Sequence, residues 1–592
     1  MNNHEPKLRR LTSFSVVPDE ALYCVLDRIN DPRDREAISL VCRQWHRIDS
    51  ATRKHVTIAF CYSAAPAMLR SRFARLESLK LKGKPRAAMY NLIPEDWGGY
   101  ASPWIAELAS GFDCLKELHL RRMVVYDEDI RMLVGARGHA LQSLKLDRCS
   151  GFSTDGLRII ATNCRCLRTL YLEDSTIIDH GGEWLHDLAT SNNVLMHLNF
   201  YMTELKILAK DLELLACKCK SLISLKLSEC DLIALIKFFK SASKLEEFGG
   251  GSFNVNQGEV GAYNKVVFPP RLLSLGLFIM GTNEVSVIYP FCASLKKLDL
   301  QYTFFLNTED HCQLIQKCPN LEVLEVRNVI GDRGLEVVSN TCKRLRHLRV
   351  ERGDDDPGQQ NEQGRVTQAG MMSIAVGCRE LEYIAIYASD ISNAALEAFG
   401  TFSSNLRDFR IVLLDSEENI TDLPLDNGVR ALLRGCTKLG RFAFYLRPGG
   451  LSDVGLGYVG EYSGNIRYML LGNVGESDMG LMRFAVGCKK LVKLELRSCC
   501  WFSEHALARA MLQLPSLRYV WVQGYKASLN GEGLREMRRR YWNIEFIPPG
   551  IEECQEASEE GRATLVTQPQ LLAYYSLAGQ RMDHPEYVVP LF

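Results

Sequence analysis

Apolar residues recur through most of the chain in the spacing L-x-x-L-x-L, from Leu76 to Val522. Clear copies begin at Leu76, Leu115, Leu141, Leu167, Leu222, Leu295, Leu321, Leu345, Leu491 and Leu517. Weaker ones begin at Leu195, Leu245, Leu272, Leu381, Leu406, Leu439 and Ile466. The usual interval is 23 to 28 residues, the period of a leucine-rich repeat, in which each short strand and its helical return need neighbours to bury their apolar side. The pattern predicts an α/β fold, a horseshoe-like solenoid of about eighteen repeats over residues 59–548. A small all-α module over 14–58 precedes it, and a tail over 549–592 is expected to pack on the last repeats.

Within each copy the leucines point to the core, and the residues between them point to the concave face, because strands alternate with period 2. Along that face this places Lys80, Lys82, His119, Arg121 and Lys145, then His347, Arg349, Ala385, Tyr387, Arg410, Ala443, Tyr445, Leu470, Lys493, Arg497 and Trp521. Lys+Arg and Asp+Glu both total 71, so no global field draws in nucleic acid or membranes. A neutral chain nevertheless lines one inner surface with cations. Such cations repel one another, which points to an anionic ligand. With no acidic residue expected to balance the first strands, a polyphosphate fits better than a peptide carboxylate alone.

Three intervals exceed the repeat: Leu76 to Leu115, Leu345 to Leu381 and Leu406 to Leu439. Insertions in repeat proteins gather on the binding face. The first, within 83–114, is apolar and rich in Pro and Gly, so it is expected to be packed. The second, D-D-D-P-G-Q-Q-N-E-Q-G, is acidic, and its tip is expected to be mobile. The third, D-S-E-E-N-I-T-D-L-P-L-D-N-G, is intermediate in character.

Cysteine stands three residues before the first Leu of a repeat at Cys164, Cys219, Cys318, Cys342, Cys378, Cys436 and Cys488. One thiol per repeat is spread along the solenoid, so these read as small buried hydrophobes ending each helix. The 20 cysteines do not form a zinc spacing, and no metal site is expected. With no secretory h-region, reduced thiols in the nucleus or cytosol are expected. No apolar run approaches the length of a membrane helix. The chain has no P-loop, G-x-S-x-G or H-E-x-x-H, so no catalytic residues and no enzymatic activity are expected.

In the N-terminal module Leu22, Val25, Leu26 and Ile29 keep helical spacing, and Asp31-Pro32 breaks it. A second helix is predicted through Ile38, Val41, Cys42, Trp45 and Ile48. The module resembles an F-box, matching at Pro18, Leu26, the D-R-E around Arg35 and L-V-C-R-Q-W ending at Trp45. F-boxes bind the Skp-type adaptor of a cullin ubiquitin ligase, which implies Pro18, Leu26, Val41 and Trp45 as adaptor contacts. The alternative is a plain cap on the first repeat.

Together with the repeats and L-K-L-K-G-K-P-R-A-A-M-Y-N-L-I-P-E-D-W-G-G-Y, this makes nearly the whole chain similar to the plant F-box receptors for auxin and jasmonate. The auxin branch looks like K-G-K-P-H-F-A-D-F-N at this loop, whereas this chain has Arg86-Ala87-Ala88-Met89. That difference, with G-D-R-G-L-E-V, I-T-D-L-P-L-D-N-G-V-R, F-A-F-Y-L-R and the tail L-L-A-Y-Y-S-L-A-G-Q-R, resembles the coronatine-insensitive jasmonate-receptor branch.

The resemblance implies a receptor that holds jasmonoyl-isoleucine against the degron of a jasmonate ZIM-domain repressor, in the nucleus, above a structural inositol polyphosphate. By resemblance, Arg86, Arg349 and Arg410 hold the hormone carboxylate, and Tyr387 and Tyr445 bond its polar groups. Ala87, Tyr90, Leu92, Ala385, Leu470 and Trp521 form apolar walls, and Arg497 also touches the degron. Lys80, Lys82, His119, Arg121, Arg122 and Lys493, with His347, Arg349 and Arg410, line the polyphosphate side. The family pattern has Phe at Tyr90, Arg at His347 and Trp at Tyr468. An auxin-type receptor and a hormone-independent F-box degron receptor are the alternatives.

Overall fold

Parallel strands, one per leucine copy and one more before the first copy, run in one continuous sheet from His55–Ile58 to Tyr519–Gln523. The structure is a computed structural model and describes residues 17–181, 183–253, 261–352, 365–413, 422–553 and 564–591. The acidic 354–364 segment and the first half of the third insertion lie outside the described residues. Motif leucines such as Leu79, Leu81, Leu144, Leu348 and Leu494 are at most 1% exposed, so alternation assigns the two faces as the pattern predicts. All seven periodic cysteines are buried. The Cys342 and Cys436 thiols donate to the carbonyls of Cys318 and Phe399 one repeat back, each at 3.5 Å.

The N-terminal module has three helices, α1 (Asp19–Leu26), α2 (Pro32–Ser39) and α3 (Arg43–Thr52). This corrects the single second helix drawn through Ile38 and Trp45. The backbone turns at Leu40–Cys42, where Cys42 is extended and leads into α3. Ile38 and Ile48 fit one helix or two, because both face the same small core with Leu22 and Leu26. Arg35 fastens the turn by donating to the Ile29 carbonyl at 2.8 Å, Asp49 at 3.0 Å and Thr52 Oγ1 at 2.9 Å.

The tail does more than pack on the last repeats. Its strand Gln570–Tyr575 lies antiparallel between Tyr519–Gln523 and Trp542–Ile547, and Val589–Leu591 pairs with the latter. The same tail reaches the first repeat. Leu577 N donates to Ser63 O at 2.9 Å, Ser576 Oγ donates to Tyr62 O at 2.6 Å, and the Phe60 ring lies 4.7 Å from Tyr574. The solenoid is thereby closed into a ring through the tail and through Phe60, whose ring also lies 5.6 Å from that of Tyr519.

Candidate functional site

The segment after the Ser78–Lys82 strand roofs the ring. It starts at Gly83, whose N–H donates to Arg121 O. A Cβ there would stand 2.3 Å from Arg122 O, so only glycine permits the approach. A 3₁₀ turn, Arg86–Tyr90, ends at Asn91 in the left-handed region, and a second turn spans Glu95–Trp97. The expected packing is present: Ala87, Ile93 and Trp97 join Phe60, Tyr519, Trp521, Leu572 and Tyr574 in one apolar cluster. Leu92 packs on its flank.

Two assigned wall residues differ in consequence. Ala87 is 3% and Trp521 1% exposed, so both support the roof from within rather than offering open wall. Trp521 Nε1 donates to Gln570 Oε1 at 3.0 Å.

Under the roof, register lines up Arg349, Ala385, Arg410, Ala443 and Leu470 on successive strands. Two residues further along lie Tyr387, Tyr445 and Arg497. All eight are half-buried. Strands repeat every ~4.8 Å, so Arg349 and Arg410 flank a gap suited to a small carboxylate. Gly472 lets Tyr445 lie across its strand, since a Cβ would fall 2.0 Å from that ring. The Arg497 guanidinium sits 5.0 Å from the Tyr445 ring and 5.7 Å from the Tyr90 ring. From the roof, Arg86 Nη2 donates to the Tyr90 hydroxyl at 3.2 Å. Burial, then Tyr90 and Glu351, pushes the Tyr387 hydroxyl up to about 12, so it remains a donor at neutral pH.

The arginines already hold carboxylates. Arg410 forks onto Asp408 at 2.8 and 2.7 Å, and Arg349 pairs with Glu351. Arg86 makes no ion pair among the described residues. An incoming carboxylate would therefore join or displace internal acids.

The second cluster is cationic. Lys80, His119 and Lys145 are register partners, as are Lys82 and Arg121. Ring closure brings Lys493 from the far end within electrostatic reach of Lys82. Burial, then Lys80, Arg122, Arg121 and Lys493, depresses the Lys82 ammonium to about 8. Arg122 is drawn down to about 10 by burial and then by Arg121. Burial likewise lowers His119, against its bond to Asp147. Burial first, and mutual repulsion after it, disfavours the charged forms of Lys82 and Arg122, so an anion among them would be stabilising.

The expectation that no acid balances these strands is corrected. Asp147 stands 3.3 Å from His119 and 3.1 Å from Arg121, and Glu495 stands 2.8 Å from Lys493.

His347 does not join this cluster. Its ring stacks on Tyr383 at 3.8 Å and its Nε2 lies 3.6 Å from Glu325, so it meets a carboxylate. Tyr468 is 39% exposed, with the Arg441 guanidinium 5.0 Å from its ring. Sequence reasoning missed Tyr383, Glu325, Asp147, Asp408, Glu351 and Glu495. Three of these were readable: Asp408/Arg410, Arg349/Glu351 and Lys493/Glu495 are i,i+2 pairs, which share a strand face.

On the F-box, Leu26 is corrected from contact to core, being 1% exposed among Leu22, Ile38 and Ile48. Trp45 packs half-buried against that core, Pro18 is exposed, and Val41 is 59% exposed. The missed surface residues are Leu40 and Val25, 84% and 56% exposed.

A closed leucine-repeat ring carrying a three-helix N-terminal module defines an F-box leucine-rich-repeat protein. Residues 14–55 match the F-box family, and 74–120 match the family described as the transport inhibitor response 1 protein domain. The chain is 67% identical to rice (Oryza sativa subsp. japonica) "Coronatine-insensitive protein homolog 1b", covering 100% of both chains. It is 56% identical to Arabidopsis thaliana "Coronatine-insensitive protein 1" over 99% of each, and 34% identical to Arabidopsis "GRR1-like protein 1" over 96% of each. The chain belongs to the coronatine-insensitive family of F-box proteins.

Proposed function

We propose that the protein is the substrate-receptor subunit of an SCF-type cullin ubiquitin ligase, and that it perceives jasmonoyl-isoleucine. With the hormone bound it recruits jasmonate ZIM-domain repressors for ubiquitination, acting in the nucleus and carrying no catalytic chemistry of its own. The observation that carries the reading is the convergence of Arg349, Arg410, Tyr387, Tyr445 and Arg497 beneath a packed roof that carries Arg86. A groove for a peptide alone needs no such roof, and guanidinium forks suit a carboxylate. Exposed Leu40, Val41 and Val25 supply the apolar surface for a Skp-type adaptor. The Lys80, Lys82, Arg121, Arg122 and Lys493 cluster would hold an inositol polyphosphate, whose charge would relieve their mutual repulsion.

The test is capture of a repressor degron peptide by the purified protein–adaptor complex with jasmonoyl-isoleucine, with auxin and with neither. Capture with jasmonoyl-isoleucine alone is expected. Equal capture in all three would favour a hormone-independent degron receptor.

A further inference from the structure

The roof segment 84–100 carries Arg86 and Tyr90, yet much of what holds it comes from the other end of the chain. Arg581 is 8% exposed. Its Nε and Nη2 donate to Glu545 at 2.8 and 3.2 Å, and its Nη1 donates to the Trp97 carbonyl at 2.7 Å. Its guanidinium also lies 4.1 Å from the Trp97 ring. The roof is shaped around this group. Gly98 adopts φ +129°, and a Cβ there would come within 2.4 Å of Arg581 Nη1.

Two more ties follow. Gln570 Nε2 donates to Leu92 O at 2.7 Å while its Oε1 accepts from Trp521. The Tyr587 hydroxyl donates to Asp96 at 2.6 Å. The start of the segment is held separately, by Arg122 Nε on Lys84 O at 2.9 Å. Between these anchors the Arg86–Tyr90 turn stands over the pocket, with Tyr90 43% exposed. Cutting the tail's ties would loosen the Leu92–Trp97 half of the roof, leaving Ile93 and Trp97 packed on Phe60, and would keep the first anchor in place.

We infer that the C-terminal tail is a positioning element for the hormone: Gln570, Arg581 and Tyr587 hold the roof at the height where Arg86 and Tyr90 reach the ligand, and so set how long the ligand stays. The inference rests on the proposed reading of the pocket. These three residues act through the roof and touch no ligand themselves.

Truncating Arg581 would strand Glu545 as a buried unpaired charge. The test therefore starts from the peripheral ties, Gln570→Met with Tyr587→Phe, and adds Arg581→Lys as the conservative variant. In the full chain bound to its adaptor, three quantities are measured: amide exchange of residues 84–100 without hormone, the dissociation rate of jasmonoyl-isoleucine, and affinity for inositol hexakisphosphate. The double variant is expected to speed exchange in 84–100 about tenfold with the ring strands unchanged. Hormone dissociation should rise several-fold, while polyanion affinity stays within twofold. Arg581→Lys, which keeps the charge against Glu545 but loses the fork, should shift exchange and dissociation in the same direction. Unchanged exchange in both variants would overturn the tie, and faster exchange with an unchanged dissociation rate would overturn the positioning role. Failure of the wild-type protein to bind the hormone would sink the pocket reading instead, and exchange would still decide whether the tail holds the roof.

Discussion

Arg410→Ala removes a pocket guanidinium that is forked onto both oxygens of an internal acid. The Arg410 side chain is 22% exposed and that of Asp408 11%, and among the described residues the Asp408 carboxylate keeps only Arg441, at 3.6 Å, as a cation partner when Arg410 is lost. Breaking a fully buried pair costs ~3–5 kcal/mol. Partial exposure and the surviving Arg441 contact reduce that to about 1–2 kcal/mol of stability here. The effect on the ligand is larger. Losing one partner of a hydrogen-bonded charge pair at an interface typically costs ~2–5 kcal/mol, about 30-fold to several-thousand-fold in affinity at ~1.4 kcal/mol per decade. Arg410→Lys keeps the charge but not the fork, and should recover only part of the loss. The assay is titration of jasmonoyl-isoleucine into the protein–adaptor complex with a labelled degron peptide present, with melting temperature and adaptor affinity followed in parallel. A change below about threefold in a folded protein would remove Arg410 from the ligand site.

Three further expectations can be checked directly. In the F-box, Leu40→Asp with Val41→Asp should abolish adaptor binding at unchanged melting temperature, while Leu26→Ala should cost ~2–5 kcal/mol of module stability; retained binding in a folded Leu40/Val41 variant would rule out that face as the contact. The depressed Lys82 has a defined sign: below about 8 it is charged in the folded ring at a cost to stability, and that cost fades as pH rises from about 8 toward the ordinary lysine value. Polyanion affinity should therefore fall as pH climbs through about 8, and Lys82→Arg should flatten that slope; identical slopes would place Lys82 outside the anion site. Tyr90→Phe removes the Arg86–Tyr90 bond at an exposed position, so affinity should move by under ~1.5 kcal/mol while the ranking of jasmonate side-chain variants changes, and an unaltered ranking would show that the hydroxyl plays no part in ligand choice.

The repeat architecture was legible because one leucine spacing carries both period and face. The identities of Arg349, Tyr387, Arg410 and Tyr445 on the inner surface follow from alternation alone. Their counter-ions Asp408 and Glu351 are legible by the same rule, since residues two apart on a strand share a face. The F-box helix break was not legible, since Ile38 and Ile48 satisfy helical spacing with or without a turn at Leu40–Cys42. Ring closure was least legible. The proximity of Lys82 to Lys493, and of Gln570 to Leu92, arises from the accumulated curvature of many repeats, and no local pattern encodes that sum.

Closure also constrains how this molecule can change over evolutionary time. Open solenoids gain and lose repeats readily, because each unit contacts only its neighbours. Here Phe60 packs on Tyr519 and Tyr574, so adding one repeat would insert a strand of ~4.8 Å spacing into a circumference that already meets itself. Lys493 would slide away from Lys82, and the roof would lose its seat on Trp521. The repeat number behaves as a quantised property of the binding site, which leaves insertions between repeats, such as the roof itself, as the open route to a new ligand.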